Sequence, residues 1–369
     1  IGRPGAGVCP VRGHSNVQGD RTMGVTENPK SDFLDALDTS FSITTPRVPG
    51  FNTVDAIKAM ADGRAKVFIG MGGNFASATP DTYFTEAALA RCALTAHVST
   101  KLNRSHLICG EDALILPCLG RTEIDIQASG DQMVTVEDSM SMVHGSAGIN
   151  PPLSDMLLSE PAIVSRMAQA TLQQVSIDWP GFASDYSKIR NKIAETIPGF
   201  EGFNERIQVH GGFYLGNSAG ERRWLTEGGK ARFCIHPLSV HADVRKDGDG
   251  ERIFTLITIR SHDQYNTTVY GLNDRYRGVK GERRVLFINS KDIRDLGIKN
   301  GDVVTLRSCE PDGRERSALG FKIMAYDIPE GSVAAYYPET NVLLSVDSID
   351  VRSGTPASKR IPITIHSPA

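Results

Sequence analysis

The chain has 369 residues, enough for two or three domains with substantial cores. With 40% apolar and 22% charged residues it has the balance of a soluble globular protein. A formal net charge of −3 argues against a dedicated nucleic-acid binder, whose footprint is usually basic, and no apolar run reaches transmembrane length. The six cysteines, Cys9, Cys92, Cys109, Cys118, Cys234 and Cys309, are scattered, with no C-x-x-C and no zinc-ligand spacing. Such usage points to a reducing, cytoplasmic setting and mostly buried thiols. It also argues against an iron–sulfur cluster held wholly by this chain.

The chain opens at Ile1 without Met and without a charged-then-apolar signal, the pattern of a piece that starts inside a longer protein. Ile1–Gly24 carries too much Gly and Pro for regular structure and too few charges for a disordered tail, so a functional loop is expected. Within it Arg12 is a permanently charged fork suited to a carboxylate or phosphate, and His14 suits proton transfer near neutral pH. Gly50–Asp62 reads as a helix capped by Asn52 or Thr53, with Val54, Ile57, Ala59 and Met60 on its apolar face.

Lys66–Ile69 is a short buried-type strand, followed at once by Gly70, Gly72, Gly73 and Asn74 and then by a helix over Thr82–Leu94. A strand, a glycine loop and a helix suit an anionic nucleotide; a plain glycine turn in an α/β domain fits the same residues. GMGGN lacks the spacing of an ordinary dinucleotide fingerprint. Ala93–Thr100 is the next strand, ending in Ser99, Thr100, Lys101 and Asn103, where open α/β sheets bind ligands. His97, inside that strand, reads as a core residue. Ala113–Pro117 and Met133–Glu137 are further strands, with Glu123 and Asp125 between them, and Glu160–Val175 reads as a helix opened by Pro161.

A helix follows over Tyr186–Thr196, then a glycine-rich, partly basic stretch. Gly216–Gly220 spells G-x-S-x-G, but no apolar-periodic helix follows it as a nucleophile elbow requires, so a turn is expected. The character changes near Arg232. Beyond it, Ile253–Ile259, Arg284–Phe287, Val303–Arg307, Gly320–Ala325, Ser332–Tyr336 and Arg360–Ile365 are closely spaced strands, the sign of a small barrel or sandwich, with Lys291–Leu296 helical between them.

The segment PVRGHSNVQGDRTMG resembles the P-x-RGQNNVQG-x-x-x-MG segment of the molybdopterin-dependent oxidoreductases of the dimethyl-sulfoxide-reductase superfamily, the formate dehydrogenase alpha subunits above all. ALILP followed by Glu123 is similar to the family's DVVLP segment. Thr258-Ile259-Arg260 and Tyr265-Asn266-Thr267 resemble its TGR and HxT elements. VLFINSKDIRDLGIKNGDVVTLRS resembles its strand–helix–strand signature, and Asn341-Val342-Leu343 and Lys359 its closing elements. His14 stands where the formate dehydrogenases usually have Gln, and Phe75 where the family's G-x-NP loop has Pro.

The resemblance implies an α/β cofactor-binding domain, a parallel-type sheet with flanking helices, over 1–232, with 1–24 as an active-site loop. A six-stranded double-psi β-barrel over 233–369 would follow. It implies molybdenum held by two molybdopterin guanine dinucleotides, with the metal ligand and any iron–sulfur cluster in a part of the protein upstream of Ile1. Residues 67–74 and 99–103 would serve one dinucleotide. Arg260, Tyr265, Asn266, Thr267 and Thr268, with Asn341 and Lys359, would close over the pterin side; Arg12 would orient a small anionic substrate and His14 relay a proton. The expected activity is a two-electron, formate dehydrogenase-like oxidation or reduction in the complete protein, with this chain alone inactive and an electron-transfer subunit as partner. The other reading is a non-catalytic nucleotide-binding scaffold that keeps the fold.

Overall fold

The structure, a computed structural model, describes Arg3, Ala6 and residues 16–173, 175–218, 220–235, 247–248, 250–267 and 269–367. The chain divides into two compact units that are not consecutive in sequence: Ile1–Gly50 with Pro117–Leu238, and Phe51–Leu116 with Ser239–Ala369. In this division the glycine-loop segment belongs with the barrel. Its core shows why. Val54, Ile57, Met60, Ala88 and Leu89 pack in one apolar cluster with Val346, a residue from the far end of the chain.

In this second unit, helix α1 (Thr53–Ala61) is capped by Asn52, whose side chain accepts from the Asp55 N–H, and buries its four apolar positions. It leads into β1 (Val67–Met71), a short helix over Phe75–Ala78, α2 (Thr82–Ala90), β2 (Leu94–Ser99) and β3 (Asp112–Pro117). The strands form one sheet in the order β1-β2-β3, with β1 and β2 parallel and Val67 opposite Leu94. α2 ends four residues before the expected Leu94, because Leu94 is needed to pair with β1: its N–H donates to the Lys66 carbonyl at 3.2 Å.

The six late strands close a barrel. They are β4 (Phe254–Ile259), β5 (Val285–Ile288), β6 (Val303–Ser308), β7 (Ser317–Ala325), β8 (Ser332–Tyr336) and β9 (Ile361–His366), in the order β5-β7-β6-β9-β4-β8. β5 with β7 and β4 with β8 run parallel, and the other neighbours run antiparallel. Alternate residues point inward, so Phe254, Leu256, Leu286, Ile288, Leu306, Phe321, Ile323 and Ile361 make a dry interior. Each such side chain contributes about 1.5–3 kcal/mol through burial. α3 (Ser290–Asp295) is capped by Asn289 and lays Ile293 on this core.

The first unit departs from a parallel-type sheet. Val134–Glu137 pairs antiparallel with Met142–Ser146, which pairs antiparallel with Phe213–Tyr214. The tight turn at Asp138–Ser141, closed by the Asp138 N–H on the Met142 carbonyl, permits only a hairpin. Helices Tyr186–Thr196 and Phe203–Arg206 accompany this sheet, whose core is Val143, Phe200, Phe203, Ile207 and Phe213. The helix from Glu160 stops at Thr171 rather than Val175; the Thr171 hydroxyl bonds back to the Met167 carbonyl, competing with the backbone ladder.

Candidate functional site

β1 delivers its glycines into a loop whose backbone only glycine adopts comfortably. Gly72 and Gly73 sit at φ of 66° and 71°, and a Cβ on either would meet no atom within 4 Å. Gly70 has a different reason: a Cβ there would meet the Phe68 ring at 2.8 Å and the His97 Nδ1 at 3.3 Å. His97 is a core residue as expected, buried against His106 with ring centroids 4.8 Å apart.

The glycine loop is tied to the loop after β2. The Asn103 amide donates to the Gly73 carbonyl at 2.7 Å, and the Ser105 hydroxyl bridges the Asn74 side chain and the Ala76 N–H, each at 2.9 Å. His106 Nδ1 faces the Asn103 N–H at 3.0 Å, which closes a capping box over this turn. Ser99 turns inward on its own loop, donating to the Lys101 carbonyl, while Thr100 is exposed.

These two loops form one wall of a cleft of about 460 Å³ within the second unit. Asn74, Ser77, Thr82, Tyr83, Lys101, Asn103 and Arg104 line it from that side; Thr267, Tyr270, Arg284, Glu339 and Val342 line it from the barrel side. The lining is cationic. Arg104 pairs with Glu86 at 2.9 Å, and Arg284 keeps one contact to the Leu319 carbonyl. The single carboxylate, Glu339, is neutralised by the buried Arg283, which grips it through Nε at 2.5 Å and Nη2 at 3.1 Å. Arg283 itself lies over the Tyr270 and Tyr336 rings and also binds Ser261 and Gln264.

Thr267 is 5% exposed and its hydroxyl has no partner among the described residues. A buried hydroxyl without a hydrogen bond costs about 1–3 kcal/mol. An orphan hydroxyl, a cationic rim and open space beside two left-handed glycines fit a phosphate-bearing ligand with hydrogen-bonding groups.

The structure therefore brings Asn74, Lys101, Asn103 and Thr267 together and sets Gly72, Gly73, Ser99 and Thr100 in the adjoining loops. Asn341 stands behind the wall, its amide holding the Ser77 carbonyl at 2.8 Å. Asn266 accepts from the Tyr337 hydroxyl at 3.1 Å, Arg260 lies over the Tyr337 ring, and Tyr265 bridges to Val269. The Lys359 ammonium donates to the Thr258 carbonyl at the edge of β4 and does not line the cleft. Glu123 belongs to the first unit. There its carboxylate accepts from the Gly120 and Leu153 N–H groups, which hold it below the usual carboxylate range. Arg12, His14 and Thr268 lie outside the described residues, as does Cys9. No cluster of three or more His, Cys, Asp or Glu side chains suited to a metal occurs among the described residues.

Tyr83, Arg104, Tyr270, Arg284 and Glu339 escaped the sequence reading. Arg104 directly follows Asn103 and could have been added; the others are lone residues in turns or element ends, with no pattern to mark them.

Residues 254–362 match the family described as "Molydopterin dinucleotide binding domain". Over 376 residues the chain is 53% identical to a Mycobacterium tuberculosis (strain H37Rv) protein named as an uncharacterized oxidoreductase, covering 100% of this chain and 47% of that one. It is 46% identical over 368 residues to the Escherichia coli K12 protein YdeP, covering 99% and 48%. The chain thus spans about half the length of the curated relatives it matches. Acetylene hydratase from Pelobacter acetylenicus superposes with a TM-score of 0.60 at 13% identity, over 95% of this chain and 51% of that one, a likeness of fold.

Proposed function

We propose that this chain, whose residues 254–362 match the molybdopterin dinucleotide-binding domain, is the part of a longer oxidoreductase of that family that receives a guanine-dinucleotide form of the cofactor. The observation that carries this reading is the Thr267 hydroxyl, buried and without a partner among the described residues in a cationic cleft between a glycine loop and the barrel. When bound, the cofactor supplies two-electron chemistry at molybdenum or tungsten.

The chain's own residues do the rest. Lys101, Arg104 and Arg284 neutralise the pyrophosphate, and the Thr267 hydroxyl and the Asn103 side chain hydrogen-bond to it or to the sugar. Glu339, fixed by Arg283, presents acceptors matched to the N1–H and amino group of guanine. The two parallel pairs in the closed barrel support the double-psi topology, and the family division at 232/233 is retained as a proposal for domain descent. On motif position, Arg12 orients a small anionic substrate and His14 takes the proton that leaves with the electrons. The reaction class is formate dehydrogenase-like, with an electron-transfer subunit and any iron–sulfur cluster outside this chain, in a reducing cytoplasmic setting.

Metal and nucleotide analysis of the complete purified protein tests this. Stoichiometric molybdenum or tungsten, with guanine nucleotide released on denaturation, is the expected result. Guanine nucleotide without metal supports a scaffold that keeps the fold, and the absence of guanine nucleotide rejects the reading.

A further inference from the structure

Asp81 is the N-cap residue of α2, yet its carboxylate makes no capping hydrogen bond. An aspartate at this position ordinarily accepts from the second or third N–H of its helix. Here its backbone is left-handed, at φ 52°, a conformation costing a non-glycine residue about 1–2 kcal/mol. Its side chain is drawn away instead to Arg316, whose Nη2 donates to Asp81 Oδ2 at 2.7 Å, with the exposed Arg314 guanidinium 3.7 Å from the same oxygen. Arg316 is buried and is held in turn by Asp312, through Nη1 at 2.9 Å and Nη2 at 2.6 Å. Ser345 adds a hydrogen bond to the same Asp312 carboxylate. The Asp81 N–H is fixed on the Asn341 carbonyl at 3.0 Å.

Buried ion triads are weak devices for stability, since desolvation offsets the attraction. This one joins a strained residue immediately before Thr82 and Tyr83, the first two residues of α2, and both line the cleft. The 5% exposed Thr267 hydroxyl, without a partner among the described residues, lines the same cleft and independently marks a ligand there. A helix N-terminus stripped of its own carboxylate is an anion site, because its first N–H groups and the positive end of its dipole stay open.

We propose that Arg316, anchored by Asp312, is a positioning residue that withholds the Asp81 carboxylate from the N-terminus of α2, leaving that terminus to receive a phosphate of the bound dinucleotide. This rests on the reading of the cleft given above and adds to it the element that accepts the phosphate. Without Arg316, Asp81 relaxes to the extended backbone of a capping aspartate and places a negative charge where the phosphate belongs.

The test measures inorganic pyrophosphate binding to the full chain by calorimetry, alongside thermal unfolding. Arg316→Gln weakens binding by about tenfold or more, a loss of roughly 1.4 kcal/mol per factor of ten. The double variant Arg316→Gln with Asp81→Gly restores binding to within about threefold of the wild type, because glycine accepts the left-handed backbone and carries no carboxylate. A merely structural role gives no such rescue. Arg316→Gln binding like the wild type, or a double variant as weak as the single one, overturns the proposal. Should Arg316→Gln fail to fold, Asp81→Gly alone decides: affinity equal to or above the wild type supports the proposal, and a tenfold loss overturns it. A complete protein that carries guanine nucleotide while its cleft ignores pyrophosphate overturns this inference alone, whereas a protein without nucleotide overturns the reading beneath it.

Discussion

The barrel and the cleft beside it, both in the second unit, are built from opposite choices. Inside the barrel, Phe254, Leu286, Leu306 and Phe321 are at most 1% exposed and pack into one apolar cluster. Along the cleft, cations gather and a hydroxyl is buried without a partner among the described residues, and Asp81, just before the cleft-lining Thr82, is held in a left-handed backbone. One region favours the folded state at nearly every position; the other carries local costs that a ligand would relieve. Variants of the barrel should therefore register in stability, and variants of the cleft in binding.

The largest expected effect lies in the barrel. Leu286→Ala should cost about 2–5 kcal/mol in denaturant unfolding, whereas Ile69→Ala, at a side chain 52% exposed on β1, should stay within about 0.5 kcal/mol. Equal costs would erase the contrast. Next comes the cationic wall. Lys101→Ala with Arg284→Ala should lower retention of guanine nucleotide by about 100-fold, at about one charge-assisted contact each, with the unfolding midpoint nearly unchanged.

Thr267→Val sharpens the comparison, because its two effects have opposite signs. Removing the orphan hydroxyl should leave the cofactor-free protein as stable as the wild type or more so, by up to about 1–3 kcal/mol, while weakening nucleotide binding. A loss of stability would mean that the hydroxyl has a partner in the folded protein.

The smallest effect concerns pH. Burial, and then the neighbouring His106, push the His97 pKa below its ordinary value of 6.5. The unfolded chain therefore binds more protons than the folded one as the solution acidifies. The contribution of neutral His97 is fully present above the unfolded pKa and is lost as pH falls through the folded one. Denaturant unfolding followed from pH 7 downward should show this, and His97→Asn should flatten the slope.

Much of the barrel was legible in the sequence. Short β-branched and aromatic runs at close spacing marked all six strands to within a few residues, and Asn289 capped α3 where the pattern changed. Sequence periodicity failed where tertiary pairing decides. It ran α2 on to Leu94, overlapping the start of β2, and it passed over the four-residue helix at Phe75–Ala78. It could not show that residues 51–116 belong with the barrel, because the links are single contacts such as Asp81–Arg316, 235 residues apart. The parallel pairing expected before Arg232 is seen between β1 and β2, whereas the hairpin sheet of the first unit is antiparallel. In the cleft, the glycine loop and Asn103 stood out by type and spacing. Tyr270, Arg284 and Glu339 did not, since a lone polar residue in a turn looks the same whether it meets water or a ligand.

Hydrogen–deuterium exchange on the complete protein, made in cells able and unable to synthesise molybdopterin, tests the central claim most directly. The account predicts protection on cofactor loading at residues 72–74, 82–83, 101–104 and 267–270, with the barrel strands unchanged. Exchange at those four segments that is identical in loaded and unloaded protein would contradict it.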